Sequence, residues 1–256
     1  MHWVIQENCF NEKGYTKLID TLERFNFSHT IVKVIPFGGG ILPDVEVIDT
    51  PVIVMGAYTL CKVAKEKCWS PGSFDNENFN FVTQEAHWLD KMFNYNCGVY
   101  KFSEVPEQEG DFFIRPVHDT KSFTGFVTDW HEFSHWRTTV MGLQTSYCSI
   151  NSDTQVQVAP AKTIYAEYRL WVVDGKIITS SLYKRGGYVY TDETVDEDII
   201  EFGYSCIREW VPARAFCLDI FVGEDGPKIG EINNINAAGF YAADIHALVQ
   251  ALNDLE

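Results

Sequence analysis

Asp219, Glu231 and Asn233 are the residues whose types and spacing most directly suggest chemistry. Asp219 lies in an alternating apolar and polar run at 218–222, Glu224-Asp225-Gly226-Pro227 supplies turn residues, and 228–233 resumes as an extended run. The stretch therefore reads as a β-hairpin. In such a hairpin Glu231 and Asn233, two apart, project from one face, and Asp219 faces Glu231 from the neighbouring strand. Two carboxylates and an amide oxygen suit a hard cation, magnesium for instance, that also holds phosphate oxygens. The solvated face of an ordinary hairpin would carry the same residues, and that alternative stays open on this stretch alone.

Cationic and turn-forming residues precede the hairpin in a definite order. Arg115 closes the run Phe112-Phe113-Ile114-Arg115-Pro116 and could grip an anion with two N–H groups. Lys121-Ser122-Phe123-Thr124-Gly125 combines a positive charge with a glycine that lets backbone come close to a ligand, although a surface turn would look the same. Gln155-Val156-Gln157-Val158-Ala159-Pro160 reads as a strand ended by proline. Glu167 and Arg169 alternate along the following strand, with Lys184 and Arg185 on the next; taken alone, such alternation is the wet face of a sheet.

Taken in order over residues 111–240, these segments resemble the ATP-grasp superfamily, in particular its RimK-like carboxylate-amine ligases and the small ATP-grasp proteins of bacteria and phages. The run from Glu231 through Gly239 toward a closing helix is similar to the same family. The resemblance implies an ATP-grasp fold of α/β and α+β parts, in which an amino-terminal α/β domain precedes two subdomains that clamp ATP. It implies that Asp219, Glu231 and Asn233 hold Mg2+, and that Arg115, Lys121, Thr124, Gly125 and Glu167 bind the nucleotide. Gln155, Gln157, Val158 and Ala159 would form a hinge strand whose backbone recognises adenine. Arg169 would face the γ-phosphate or an acyl phosphate, with Lys184 and Arg185 as further catalytic cations. The implied reaction joins a small-molecule or peptide carboxylate to an amine acceptor, releasing ADP and phosphate. Replacing Glu231 or Arg169 is then expected to abolish ATP turnover without unfolding the chain. A kinase of the same fold, or a non-catalytic ATP-binding module, is a further reading.

His131-Glu132-Phe133-Ser134-His135 competes with this, because His-Glu-x-x-His is the zinc hydrolase helix in which two histidines one turn apart bind metal and the glutamate activates water. No third ligand follows in a fitting context. Trp130, Phe133, Trp136 and Val140 instead make an apolar stripe at helical spacing, as an amphipathic helix packed on a sheet would.

The elements that must position these residues are legible in outline. The first hundred residues alternate extended runs (3–6, 29–36, 51–55) with helical spacing (15–25, 58–67, 83–93), the rhythm of a small α/β domain. Gly56 marks a tight strand-to-helix turn, and Phe37-Gly38-Gly39-Gly40 is a candidate substrate loop. Pro106 to Gly110 breaks the pattern, which predicts domains at 1–105 and 106–256, the second divided into 111–154 and 155–256. Strands are expected at 155–159, 163–173 and 176–183, and a helix at 240–255.

A formal charge of −16 on 256 residues repels nucleic-acid backbones and anionic membranes. Seven cysteines, odd in number and without a Cys-x-x-Cys pair, read as reduced and mostly buried thiols. With no basic and apolar leader and no membrane-length apolar run, the expectation is a cytoplasmic protein. The identity of the substrates and the oligomeric state are not written in these motifs.

Overall fold

The computed structural model describes residues 1–7, 13–35, 39–46, 50–118, 122–143 and 149–255. Among them are three sheets. The first has the order β3-β2-β1-β4-β5, built from β1 (His2–Gln6), β2 (His29–Val34), β3 (Ile41–Leu42), β4 (Val52–Met55) and β5 (Pro71–Gly72). β1 runs parallel to β2 and β4, β4 runs parallel to β5, and only β3 is antiparallel. Central parallel strands are covered on both faces, which accounts for the unbroken apolar runs. Val4, Val52 and Val54 meet Leu60, Cys61 and Ala64 of α2 (Tyr58–Glu66), while Trp3, Ile5, Ile53 and Met55 meet Leu18 and Leu22 of α1 (Lys13–Arg24). The predicted strand and helix alternation is thus present.

The second sheet is antiparallel, with the order β6-β9-β7-β8 from β6 (Gly98–Lys101), β7 (Phe112–Pro116), β8 (Phe126–Thr128) and β9 (Gln155–Pro160). The amphipathic segment forms α4 (Trp130–Gly142), capped by Asp129, whose Oδ1 accepts from the Glu132 N–H at 2.9 Å. Phe133 of α4 is buried against Phe102 and Phe112.

The third sheet, also antiparallel, has the order β12-β11-β10-β13-β14, from β10 (Ala166–Val173), β11 (Lys176–Arg185), β12 (Tyr188–Asp192), β13 (Ala215–Gly223) and β14 (Gly226–Asn233). Tyr168, Leu170 and Val172 of β10 face a core shared with α3 (Phe81–Trp88) and α5 (Glu197–Glu209). On its other face Trp171 and Val173 pack with α1, the first sheet and α6 (Ile245–Asn253). Further along that second face, Glu167 and Arg169 stand where apolar residues would otherwise continue, so one half of the face is core and the other half is polar.

Some sequence expectations are corrected. The strand expected from 163 begins at Ala166. The closing helix expected from 240 begins at Ile245, because Asp244 caps it by accepting from the Ala247 N–H at 3.1 Å. The break at 106–110 does not separate layers. β6 pairs with β9 along its whole length, and Trp88 Nε1 donates to the Cys206 carbonyl at 3.1 Å, so 81–101 already belongs to the second and third sheets. Among the described residues no helix is long and apolar enough to cross a membrane.

Candidate active site

Register carries the central residues together. Asp219 of β13 stands opposite Arg169 on β10 and opposite Glu231 on β14, while Asn233 follows two residues along β14. Arg169 is spent on Asp219: Nε donates to Oδ1 and Nη2 to Oδ2, each at 2.7 Å. Asn233 Nδ2 donates to Asp219 Oδ2 at 3.1 Å and to Glu231 Oε1 at 3.0 Å, drawing both carboxylates around one point. Burial pushes the Asp219 carboxyl above the usual range; the Arg169 guanidinium opposes this, and Glu231 and Glu167 add to the upward push. Burial by itself would lower Arg169, but the Asp219 charge overrides it and holds the guanidinium firmly protonated.

Two bulges aim the remaining groups. Between β10 and β11 the pairing jumps from Glu167 with Lys184 to Tyr168 with Leu182, leaving Tyr183 unpaired. Consecutive residues normally point to opposite faces, yet here both reach one carboxylate: Tyr183 Oη donates to Glu167 Oε2 at 2.9 Å, and Lys184 Nζ lies 2.7 Å from Glu167 Oε1. Burial, then the Asp219 and Glu167 charges, push the Tyr183 phenol up, which keeps it a donor. Between β13 and β14 the pairing jumps from Asp219 with Glu231 to Ile220 with Ile229, leaving Gly230 unpaired. A Cβ on Gly230 would lie 2.4 Å from the Phe221 ring, so that position requires glycine for space.

The second sheet supplies the opposite wall. Arg115 Nη1 reaches across to Glu231 Oε2 at 2.6 Å. Arg115, Thr124 and Gly125 on one side and Glu167, Lys184 and Glu231 on the other line a cleft of about 430 Å³. Gly125 packs tightly, since a Cβ there would lie 2.8 Å from Phe113 Cζ and 2.9 Å from Arg115 Cβ.

Several predicted residues are placed elsewhere. Gln155 is exposed and Gln157 is buried, accepting from Cys97 Sγ at 3.8 Å. Val158 belongs to the core under α4, and Ala159 is buried. From Gln155 to Val158 the strand is paired on both sides, with β6 and with β7, so that backbone is committed to ladders and is not free to read a base. Arg185 is exposed over the Tyr190 ring at 5.6 Å and does not line the cleft. Arg169 is buried beneath the cleft instead of facing it.

Lys121 lies outside the described residues, as do Phe37 and Gly38. Gly39 and Gly40 do not line the cleft, and Gly56 donates its N–H to the Asn236 carbonyl at 2.8 Å in a tight packing turn. His131, Glu132 and His135 sit on the exposed side of α4, with Phe133 alone among them buried. Among the described residues no three His, Cys, Asp or Glu side chains come together as a metal group. Asp219 and Glu231 reach three donors only with Asn233, whose amide must turn to offer Oδ1 in place of Nδ2; with that turn the set fits a hard, oxygen-seeking cation.

Tyr183 was not legible as a site residue, though the neighbouring Gly230, a glycine inside a strand, is a recognisable bulge signal.

No curated protein sequence matches the chain. Solved structures do resemble it. A RimK domain ATP-grasp protein from Sphaerobacter thermophilus DSM 20745 superposes with a TM-score of 0.63 at 10% identity, over 97% of this chain and 99% of that one. D-cycloserine synthetase DcsG gives 0.61 at 11% identity, over 98% of each chain. The ATP-grasp ligase PsnB, complexed with a minimal precursor, gives 0.59 at 16% identity, again over 98% of each. At these identities the likeness is one of fold. A family model for an ATP-grasp domain, the third family of its clade, matches residues 66–252, which takes in the second and third sheets and the whole cleft between them. With the match spanning well over half of its length, the chain belongs to this family of ATP-grasp domains.

Proposed function

We propose that the chain is an ATP-dependent carboxylate-amine ligase acting through an acyl phosphate. One observation carries the reading: Asp219, Glu231 and Asn233 converge at the floor of a cleft whose walls bear Arg115 and Lys184, in a member of the ATP-grasp family. The named activities of the ligase and synthetase with this fold are consistent with it.

In this reading a substrate carboxylate oxygen attacks the γ-phosphorus of ATP, the bond to the bridging oxygen breaks, and ADP leaves. The amine nitrogen then attacks the acyl carbon and phosphate departs, leaving an amide. Bound Mg2+, held by Asp219, Glu231 and Asn233, would supply charge neutralisation for the phosphates. Arg115 divides its guanidinium between Glu231 and the nucleotide, gripping the phosphate chain from the second sheet. Lys184 offers a second cation, oriented by Glu167, which Tyr183 fixes in turn. Arg169 acts through Asp219 as a positioning residue and keeps that carboxylate charged and aimed. No protein nucleophile is needed, so the chemistry is positioning and electrostatics. The acceptor is a small-molecule or peptide amine.

The test is ADP release from ATP and magnesium across panels of amino acids and short peptides. Acceptor-dependent release with a matching mass gain in the product supports ligation. A stable phosphorylated product in place of an amide would make the protein a kinase of the same fold.

A further inference from the structure

His118 lines the cleft beside Arg115 and Gly125, and neither the metal set nor the ion pairs make use of it. Its protonation pattern follows from the cap of a neighbouring helix. Asn80 is the N-cap of α3, and its Oδ1 accepts from the N–H groups of Val82 at 2.8 Å and Thr83 at 3.4 Å. Backbone N–H groups can only donate, so the amide orientation of Asn80 is settled: oxygen toward the helix, nitrogen away from it. That nitrogen, Nδ2, lies 2.8 Å from His118 Nδ1. An amide NH2 can only donate, so Nδ1 must accept, and the neutral imidazole carries its proton on Nε2.

The scaffold holds this arrangement firmly. Phe81 N–H donates to the Val117 carbonyl at 2.9 Å, and Asn80 and His118 form an antiparallel bridge, tying the start of α3 to the segment that follows β7. Among the described residues Nε2 meets no partner, so an N–H donor stands at the rim of the cleft.

We propose that His118 donates its Nε2–H to a phosphoryl oxygen of the nucleotide in the cleft, and that Asn80 is the positioning residue that dictates this tautomer. The inference rests on the nucleotide reading above. It also assigns what His118 does not do: with the proton on Nε2, the cleft-facing nitrogen has no lone pair with which to take a proton from the acceptor amine.

The experiment compares full-length wild type with His118→Phe, His118→Gln and Asn80→Asp, by calorimetric titration with ATP and with adenosine in the presence of magnesium, and by 15N shifts of the His118 ring. Gln retains an N–H donor, whereas Asp keeps the helix cap but turns the partner of Nδ1 into an acceptor. The proposal expects an Nε2–H signature in wild type and an Nδ1–H or doubly protonated ring in Asn80→Asp. ATP affinity should fall about tenfold to a hundredfold in His118→Phe, the worth of a hydrogen bond to a charged group, with adenosine affinity unchanged and ATP affinity partly restored in His118→Gln. An Nδ1–H signature in wild type, or equal ATP affinity in wild type and His118→Phe, overturns the proposal while leaving the nucleotide site standing. Failure of wild type to bind ATP at all overturns the nucleotide reading itself.

Discussion

Arg169 and Asp219 form a two-pronged ion pair directly beneath the cleft, both contacts at 2.7 Å, with side-chain exposures of 8% and 1%. The pair is out of water, so its partners depend on each other more than a surface pair would. This changes the expectation that removing Arg169 leaves the fold untouched.

Arg169→Met strands the Asp219 charge in the interior and is expected to lower stability by about 3–5 kcal/mol. Adding Asp219→Asn should recover part of that loss, because the isolated charge is gone, without restoring ATP turnover. Urea unfolding followed by tryptophan fluorescence, beside ADP release, checks both halves. A single variant as stable as wild type would mean the pair is not buried in solution.

Gly125→Ala is expected to weaken ATP binding with little loss of stability. The new methyl group would press on Arg115 Cβ and the Phe113 ring, and displacing Arg115 disturbs its 2.6 Å contact with Glu231. Calorimetry should read roughly a tenfold loss of affinity, the size of a displaced charge-assisted hydrogen bond. Unchanged affinity would remove Arg115 from the phosphate grip.

How far the sequence carries depends on the range of the interactions involved. The Asp219 and Glu231 register is legible because a short turn and a two-residue period are local facts, and β14 follows them as far as the Gly230 bulge. The fate of β9 is not, because whether its backbone is free depends on β6, more than fifty residues earlier, pairing beside it. The four residues of β6, Gly-Val-Tyr-Lys, carry no pattern that announces a strand, and nothing in the sequence reading anticipates α5. Arg169 reads from sequence as a cation on a strand, but its partner becomes evident only when β13 is laid against β10. Tyr183 reaches the site through a bulge, which breaks the alternation that sequence reading relies on.

Asn236 ties the loop after β14 to the amino-terminal sheet. Its Nδ2 donates to the carbonyls of Val54 at 2.7 Å and Gly72 at 3.3 Å, and its Oδ1 accepts from the Phe74 N–H at 2.9 Å, all in the interior. Asn236→Ala leaves these backbone groups buried without partners and should cost about 2–4 kcal/mol in stability. A shift in the urea midpoint near zero would show that water replaces the amide.

Among the five described cysteines, alkylation of the native protein at pH 8 should label Cys68 first. Cys68 is exposed, whereas Cys61, Cys206 and Cys217 are buried; Cys9 and Cys148 lie outside the described residues. Burial pushes the Cys97 and Cys206 thiols up to about 12 and raises Cys61 and Cys217 as well, leaving little thiolate. Peptide mapping after brief exposure to iodoacetamide reads the order. Rapid labelling of Cys217, two residues from Asp219 on β13, would show that the third sheet opens far more readily than its packing implies.

The most direct test of the nucleotide site is calorimetric titration of the metal-stripped protein with a non-hydrolysable ATP analogue, with and without magnesium, for wild type and Glu231→Gln. The account predicts binding that requires magnesium in wild type and is lost, or weakened at least tenfold, in a folded Glu231→Gln. Binding indifferent both to magnesium and to that substitution would contradict the assignment of Asp219, Glu231 and Asn233 as the metal set, and no binding at all would contradict the nucleotide cleft.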